Sequence, residues 1–251
     1  MILFRGWEQA CDGFRDYLQS RNIRVKFTIF DLDQNVEKAP AAVELVRQAK
    51  PDLVFVWGTS AAMSVLGPWH APDPKRHLVE FPAVFCIVTD PVGNQLVKSH
   101  QDTGRDVTGV EFVAPLQTQL RAMALYRPFR KIAIIFNSRE ENSVSVARSL
   151  QLLAPEFEFE LATLPVQAKG GADLAPNELQ DRVREAKAGG ADWLYIPTDT
   201  LLTLNRDALT NAALELSLPA FSSAERFIRE SNALCGLVSR YCYDQEQYSL
   251  L

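Results

Sequence analysis

No stretch of this chain reaches the run of about eighteen apolar residues that a membrane-spanning helix needs, so none of it is expected to cross a bilayer. Positive charge is also in deficit: 26 Lys+Arg stand against 31 Asp+Glu, a formal charge of −5. A surface that acidic offers no general field to nucleic acid, which is excluded as a main partner. The 3 histidines, His70, His77 and His100, fall in expected loops without the paired spacing of a metal site. The 4 cysteines (Cys11, Cys86, Cys235, Cys242) are far apart with no CxxC, which reads as buried free thiols. Glycine-rich phosphate loops are missing. Trp57-Gly58-Thr59-Ser60 has one glycine where a nucleotide motif needs two or three, and neither HExxH nor GxSxG occurs. We therefore expect no catalytic residues, no cofactor, no metal and no enzyme.

What is present is an ordinary globular composition, 47% hydrophobic and 23% charged, over 251 residues, enough for one to two domains. Apolar runs alternate with helix-period segments from end to end. The runs are Ile2–Phe4, Val25–Phe30, Leu53–Trp57, Ala83–Thr89, Val107–Phe112, Ile132–Phe136, Phe157–Leu164, Trp193–Ile196, Pro219–Phe221 and Leu234–Val238. Most are continuous rather than alternating, as in strands covered on both faces. Between them, apolar stripes recur at helical spacing: Trp7, Ala10, Cys11, Phe14 and Leu18; Val43, Val46 and Ala49; Val144, Ala147, Leu150 and Leu153; Leu179, Val183 and Ala186. Strand–helix alternation at this pitch predicts an α/β protein built of βαβ units with parallel sheets.

About five strands precede Pro115 and about five follow it, so two lobes are preferred to one ten-stranded sheet. Val110–Ala114 is the expected crossing, with a helix from Pro115 to Tyr126. We place a first lobe at 1–114, a second at 115–234, and a crossing back towards the first at 235–251. There Asp244 with Glu246 predicts a helix start.

Ligands of open parallel sheets sit beyond the carboxyl ends of the strands. Those ends read Arg5-Gly6, Gly58-Thr59-Ser60, Thr89-Asp90-Pro91, Asn137-Ser138, Pro197-Thr198-Asp199 and Ser222-Ser223. Nearly all are small or polar. Each precedes a helix, so each can cap it and can aim backbone N–H groups at an anion. A ligand ammonium group would look to Asp90, Asp199 or Glu225, and Trp57, Phe136 and Tyr241 could supply an apolar wall, although core packing suits Trp57 better.

The segment Phe81-Pro-Ala-Val-Phe-Cys-Ile-Val-Thr-Asp-Pro-Val-Gly93 is followed by Leu96–Ser99 and Val107–Val110. Ile132–Asn137, Glu141–Ser143, Ile196–Asp199 and Leu218–Ser222 come next in order. Together they resemble the ABC transporter substrate-binding protein family of the tryptophan/tyrosine-binding type, over nearly the whole chain. The resemblance implies a type I periplasmic-binding-protein fold, two Rossmann-like lobes that close on a small solute, here C-terminally short. It also implies an amino-acid-like ligand and delivery to an ABC permease. The family's site loops fall on Thr59, Ser60, Thr89, Asp90, Asn137, Asn142, Thr198, Asp199, Ser223 and Glu225. Members are normally periplasmic. The chain opens Met-Ile-Leu-Phe-Arg-Gly-Trp-Glu without a secretory leader, so a cytoplasmic location is expected if 1–251 is the whole protein. A ligand-sensing effector module of a regulator or receptor is the alternative, and a small-molecule enzyme on the same scaffold is third.

Overall fold

The computed structural model describes residues 1–168, 174–175, 177–239 and 248–250. The chain divides into two compact units, one from Met1 to Phe112 and a second beginning at Val113.

The first unit carries β1 (Ile2–Leu3), α1 (Gln9–Ser20), β2 (Phe30–Asp31), a 3-10 turn at Val36–Lys38, α2 (Ala39–Ala49), β3 (Val54–Trp57), α3 (Thr59–Leu66), β4 (Ala83–Val88) and β5 (Val107–Glu111). Its strands pair in parallel in the order β2-β1-β3-β4-β5. Successive β3 side chains serve opposite faces. Val54 and Val56 meet Val43, Val46, Ala62 and Val65 of α2 and α3, while Phe55 and Trp57 meet Leu3 and Cys11 under α1. Phe14 of α1 stacks on Phe55 with ring centroids 4.5 Å apart. Two-sided burial explains why the strand reads as an unbroken apolar run.

The second unit carries α4 (Leu116–Tyr126), β6 (Lys131–Asn137), α5 (Glu141–Leu153), β7 (Glu160–Val166), α6 (Glu178–Ala188), β8 (Trp193–Ile196), α7 (Thr200–Leu204), α8 (Arg206–Glu215), β9 (Ala220–Ser222), α9 (Glu225–Arg229), β10 (Cys235–Ser239) and β11 (Tyr248–Leu250). Its order is β11-β10-β9-β8-β6-β7, parallel except for β10 with β11. Numbered from β6, the five parallel strands repeat the order of the first unit. Ile132, Ile134, Trp193 and Tyr195 face α4 and α5, and Ala133, Ile135, Leu194 and Ile196 face α6, α7 and α8.

Three sequence expectations differ from the structure. The run Val25–Phe30 contributes only Phe30 to a strand. Alongside it, the Met1 amino group donates to Thr28 O at 2.6 Å and the Met1 carbonyl accepts from Phe30 N. Val25 and Ile29 are left exposed. Cys235–Ser239, expected at the start of the crossing, is hydrogen-bonded to β9 in the second sheet. Tyr248–Leu250, expected in a helix, is a strand antiparallel to β10, while Asp244 and Glu246 lie outside the described residues. Among the described residues no helix is long and apolar enough to cross a membrane.

Candidate functional site

In the order 2-1-3-4-5 the first and third strands are neighbours whose connections leave to opposite faces, which opens a crevice beyond their carboxyl ends. In the first unit the flanking segments are Phe4–Gly6 after β1 and Gly58 before α3. In the second they are Ser138–Glu140 after β6 and Pro197–Asp199 after β8.

Gly58 leaves β3 with φ +95°, a conformation that favours glycine, and starts α3 at once. Thr59 is buried, and its Oγ1 accepts the Thr89 N–H at 3.0 Å, joining the ends of β3 and β4. Ser60, next on the helix, is half-buried, and its side chain makes no hydrogen bond among the described residues. The Thr89 carbonyl accepts from Asn94 Nδ2 at 2.8 Å, and Asp90 Oδ1 accepts from Gly93 N at 2.8 Å. The Asp90 N–H also reaches the Glu111 carboxylate. Burial first, then the charge of Asp90, pushes the Glu111 carboxyl up, against the pull of His100 and that N–H. Arg5 pairs with Glu8 at 3.1 Å and lies over the Trp57 ring, 5.2 Å from its centroid. Trp57 is only 4% exposed and belongs to the core under α1, so its wall is turned inward.

The second unit's strand ends are stitched by two buried carboxylates. Asp199 is the N-cap of α7 and accepts from Leu202 N at 2.9 Å through Oδ1. Its Oδ2 accepts from Asn137 N at 2.8 Å and from Ser143 Oγ at 2.5 Å. Glu140, just before α5, reaches the other way: Thr200 N donates to Oε2 at 2.9 Å and to Oε1 at 3.1 Å, and Thr200 Oγ1 donates to Oε1 at 3.0 Å. Asn142 Nδ2 donates to Glu140 Oε1 at 3.2 Å and also to the Thr198 carbonyl. Asn137 Oδ1 accepts from Arg139 N at 3.1 Å. Burial, then the charge of Asp199, pushes the Glu140 carboxyl up to about 7. Burial pushes Asp199 up as well, against its donors on Ser143, Leu202 and Asn137.

Ser223 and Glu225 belong to the same unit. Ser223 is buried, its N–H bonded to Ile196 O at 3.3 Å and its hydroxyl beside that of Tyr195. Tyr195 in turn donates to Gln119 Oε1 at 2.7 Å, and Gln119 Nε2 donates to Ala114 O at 2.6 Å. Glu225 opens α9 and accepts from Arg229 Nε one turn on. Phe136 packs against the α4–α5 side of the core, and Tyr241 lies outside the described residues. Thus Thr59, Thr89 and Asp90 come together in the first unit, and Asn137, Asn142, Thr198 and Asp199 in the second. Sequence reasoning missed Glu140. Its one signal is the doublet Glu140-Glu141 at a helix start, where spacing does not say which carboxylate turns inward.

A family profile described as ABC transporter substrate binding protein matches residues 4–241. The chain belongs to that family. A tyrosine-binding protein of Clostridioides difficile (strain R20291) is 25% identical over 235 residues, which are 93% of this chain and 62% of that protein. This family member therefore spans less than two thirds of that relative's length. The ABC domain from Streptococcus pneumonia, crystallised in complex with L-Trp, superposes with a TM-score of 0.71 at 21% identity, covering 95% of this chain and 78% of the other. A conserved domain protein from Vibrio cholerae gives 0.70 at 22% identity, covering 96% and 78%. The leucine binding protein LivK of Thermotoga maritima gives 0.67 at 14% identity, covering 96% and 69%. At these identities the solved structures establish the fold, that of type I periplasmic binding proteins. Substrate-binding proteins of this family are not enzymes.

Proposed function

We propose that the chain is the solute-binding component of an ABC importer, holding a small amino-acid-like solute at the strand ends of its two units and closing on it. The observation that carries this reading is the family match over residues 4–241. Polar groups at the switch point of both sheets support it. The solute class follows the relatives, one described as tyrosine-binding and one crystallised with L-Trp. In this reading the N–H groups that open α3, with Ser60, receive the solute carboxylate, which gains about 0.3–1 kcal/mol from the helix dipole. Thr59, Thr89 and Asp90 frame that side. Asn137, Asn142, Thr198, Asp199, Ser223 and Glu225 frame the other. The protein works outside the cytoplasm and hands its solute to a membrane permease.

Thermal unfolding in the presence of L-tryptophan, L-tyrosine, other amino acids, nucleosides and small organic acids tests this. A micromolar Kd corresponds to about −8 kcal/mol. Solute at a hundred times its Kd then stabilises by about 2.7 kcal/mol. At about 2–4 °C per kcal/mol for a chain of this size, the midpoint rises by about 5–11 °C. A folded protein whose midpoint moves with none of these compounds refutes the proposal.

A further inference from the structure

The two carboxylates of the second unit brace its strand-end loops reciprocally. Glu140, on the loop between β6 and α5, holds Thr200, the first residue of α7, and Asp199, at the end of the loop after β8, holds Asn137 at the end of β6 and Ser143 in the first turn of α5. Both are buried, at 8% and 3% exposure, and neither is ion-paired among the described residues. The groups facing them are neutral: Asn142 and Ser143 from α5, Thr198 and Thr200 around the start of α7, and backbone N–H groups. The charged residues of α5, Glu141 and Arg148, are exposed, as is Arg139 before it. On β6 the charged residue is Lys131, at the far end. α7 has none, and on β8 the titratable Tyr195 is held by Gln119.

We infer that Glu140 is a positioning residue of this site: it holds a proton beside the charge of Asp199, and loss of that proton loosens the two strand ends it braces. The inference deepens the proposed function and rests on it for the loops being those that hold the solute. Two like charges buried side by side do not both ionise freely. The proton goes to Glu140 because both Asp199 oxygens already accept protein donors of their own. Glu140 Oε2, by contrast, only shares the Thr200 N–H with Oε1. The carboxyl is held up to about 7 in the folded chain, against an ordinary value of 4.5. The sign is that of a raised acid: the closed, protonated brace is favoured below the ordinary value. That advantage is lost as pH rises through about 7, so opening grows with pH.

Hydrogen exchange of the Thr200 and Asn137 amides, corrected for the intrinsic rate, reads the brace directly at pH 5.5 and 8.5. Their protection is expected to fall on the order of tenfold or more between the two. Glu140→Gln, which keeps a carbonyl for Thr200, is expected to abolish that dependence. In the wild-type protein, ¹³C NMR of the Glu140 carboxyl is expected to show titration near neutral pH, which keeps the inference testable if the variant does not fold. Equal protection at both pH values, a pH dependence retained in Glu140→Gln, or a carboxyl titrating in the ordinary range overturns it. Calorimetry with L-tryptophan and L-tyrosine at the same two pH values is expected to show weaker binding at pH 8.5 in the wild type and equal binding in the variant. If neither probe binds at either pH, the proposed solute class fails, while exchange still decides the brace.

Discussion

Replacing Asp199 with Asn separates a residue that builds the site from one that touches the solute. The carboxylate accepts three protein donors, Leu202 N, Asn137 N and Ser143 Oγ, while 3% exposed. An amide has one acceptor oxygen. If that oxygen keeps the α7 cap, the NH2 group faces Asn137 N–H and the Ser143 hydroxyl. Ser143 can turn and accept, and its own donor already lies 3.5 Å from Thr198 O. Asn137 N–H has no such freedom and becomes a stranded donor, at a cost of about 1–3 kcal/mol. Removing a buried charge beside Glu140 offsets part of this. The net loss is about 1–2 kcal/mol, or about 2–8 °C in Tm for a chain of this length.

Asp199→Ala strands all three donors, the Leu202 N–H of the helix cap among them, a loss of about 3 kcal/mol or more. Thermal and urea unfolding of both variants, with calorimetry against L-tryptophan and L-tyrosine, gives the answer. A cap lowers stability in the order wild type, Asn, Ala, and affinity follows only as the loops distort. If Asp199→Asn keeps wild-type stability and loses binding outright, the carboxylate is a solute contact and the three protein bonds do not hold the loops.

Other outcomes follow from single contacts. Tyr195→Phe leaves the Gln119 Oε1 atom buried without its donor and should cost about 1–3 kcal/mol, read as a fall in Tm. Gly236→Ala would bring a Cβ within 2.0 Å of Ser222 O on the neighbouring strand, so β10 must move off β9. Exchange of the amides along β9 and β10 should accelerate, with a loss of about 1–3 kcal/mol or more. Gly13→Ala, in the middle of α1 with nothing within 4 Å of its new Cβ, should stabilise by about 0.5–1 kcal/mol in urea unfolding.

The strands were legible because burial on both faces writes a strand as a plain apolar run, as at Val54–Trp57 and Trp193–Ile196. The same cue misleads at Val25–Ile29, where the residues suit a strand but Val25 and Ile29 stay exposed and the strand is confined to Phe30–Asp31. Periodicity also overstated α1. Of the expected stripe Trp7, Ala10, Cys11, Phe14 and Leu18, Trp7 precedes the helix and is exposed, Ala10 and Phe14 pack on the core, and only Cys11 is fully buried. At the strand ends the polar residues were legible as a set, because helix capping and ligand contact call for the same types. Which of them are already engaged was not. Asn137 meets Asp199 across 62 positions and Asn142 meets Thr198 across 56, and local spacing carries no trace of such pairings. Glu140 went unseen for the same reason.

The two units show how one topology tolerates different chemistry at equivalent places. Both sheets run 2-1-3-4-5, and in both the third strand delivers a polar residue that ties down a neighbouring strand end. In the first unit that residue is Thr59, whose neutral hydroxyl accepts the Thr89 N–H. In the second it is Asp199, which accepts the Asn137 N–H, and a second carboxylate, Glu140, lies close enough to feel its charge. A hydroxyl ties its loop without changing charge near neutral pH. A pair of buried carboxylates cannot, since burial and mutual repulsion both work against the doubly charged form. The pH dependence of the Thr200 and Asn137 bracing therefore belongs to the Glu140–Asp199 pair, while in the first unit the raised carboxyl, Glu111, takes the Asp90 N–H and not that of Thr89. In Glu140→Gln, where that pair is gone, the Thr200 and Asn137 amides should keep the same protection at pH 5.5 and 8.5 once the intrinsic rate is corrected for.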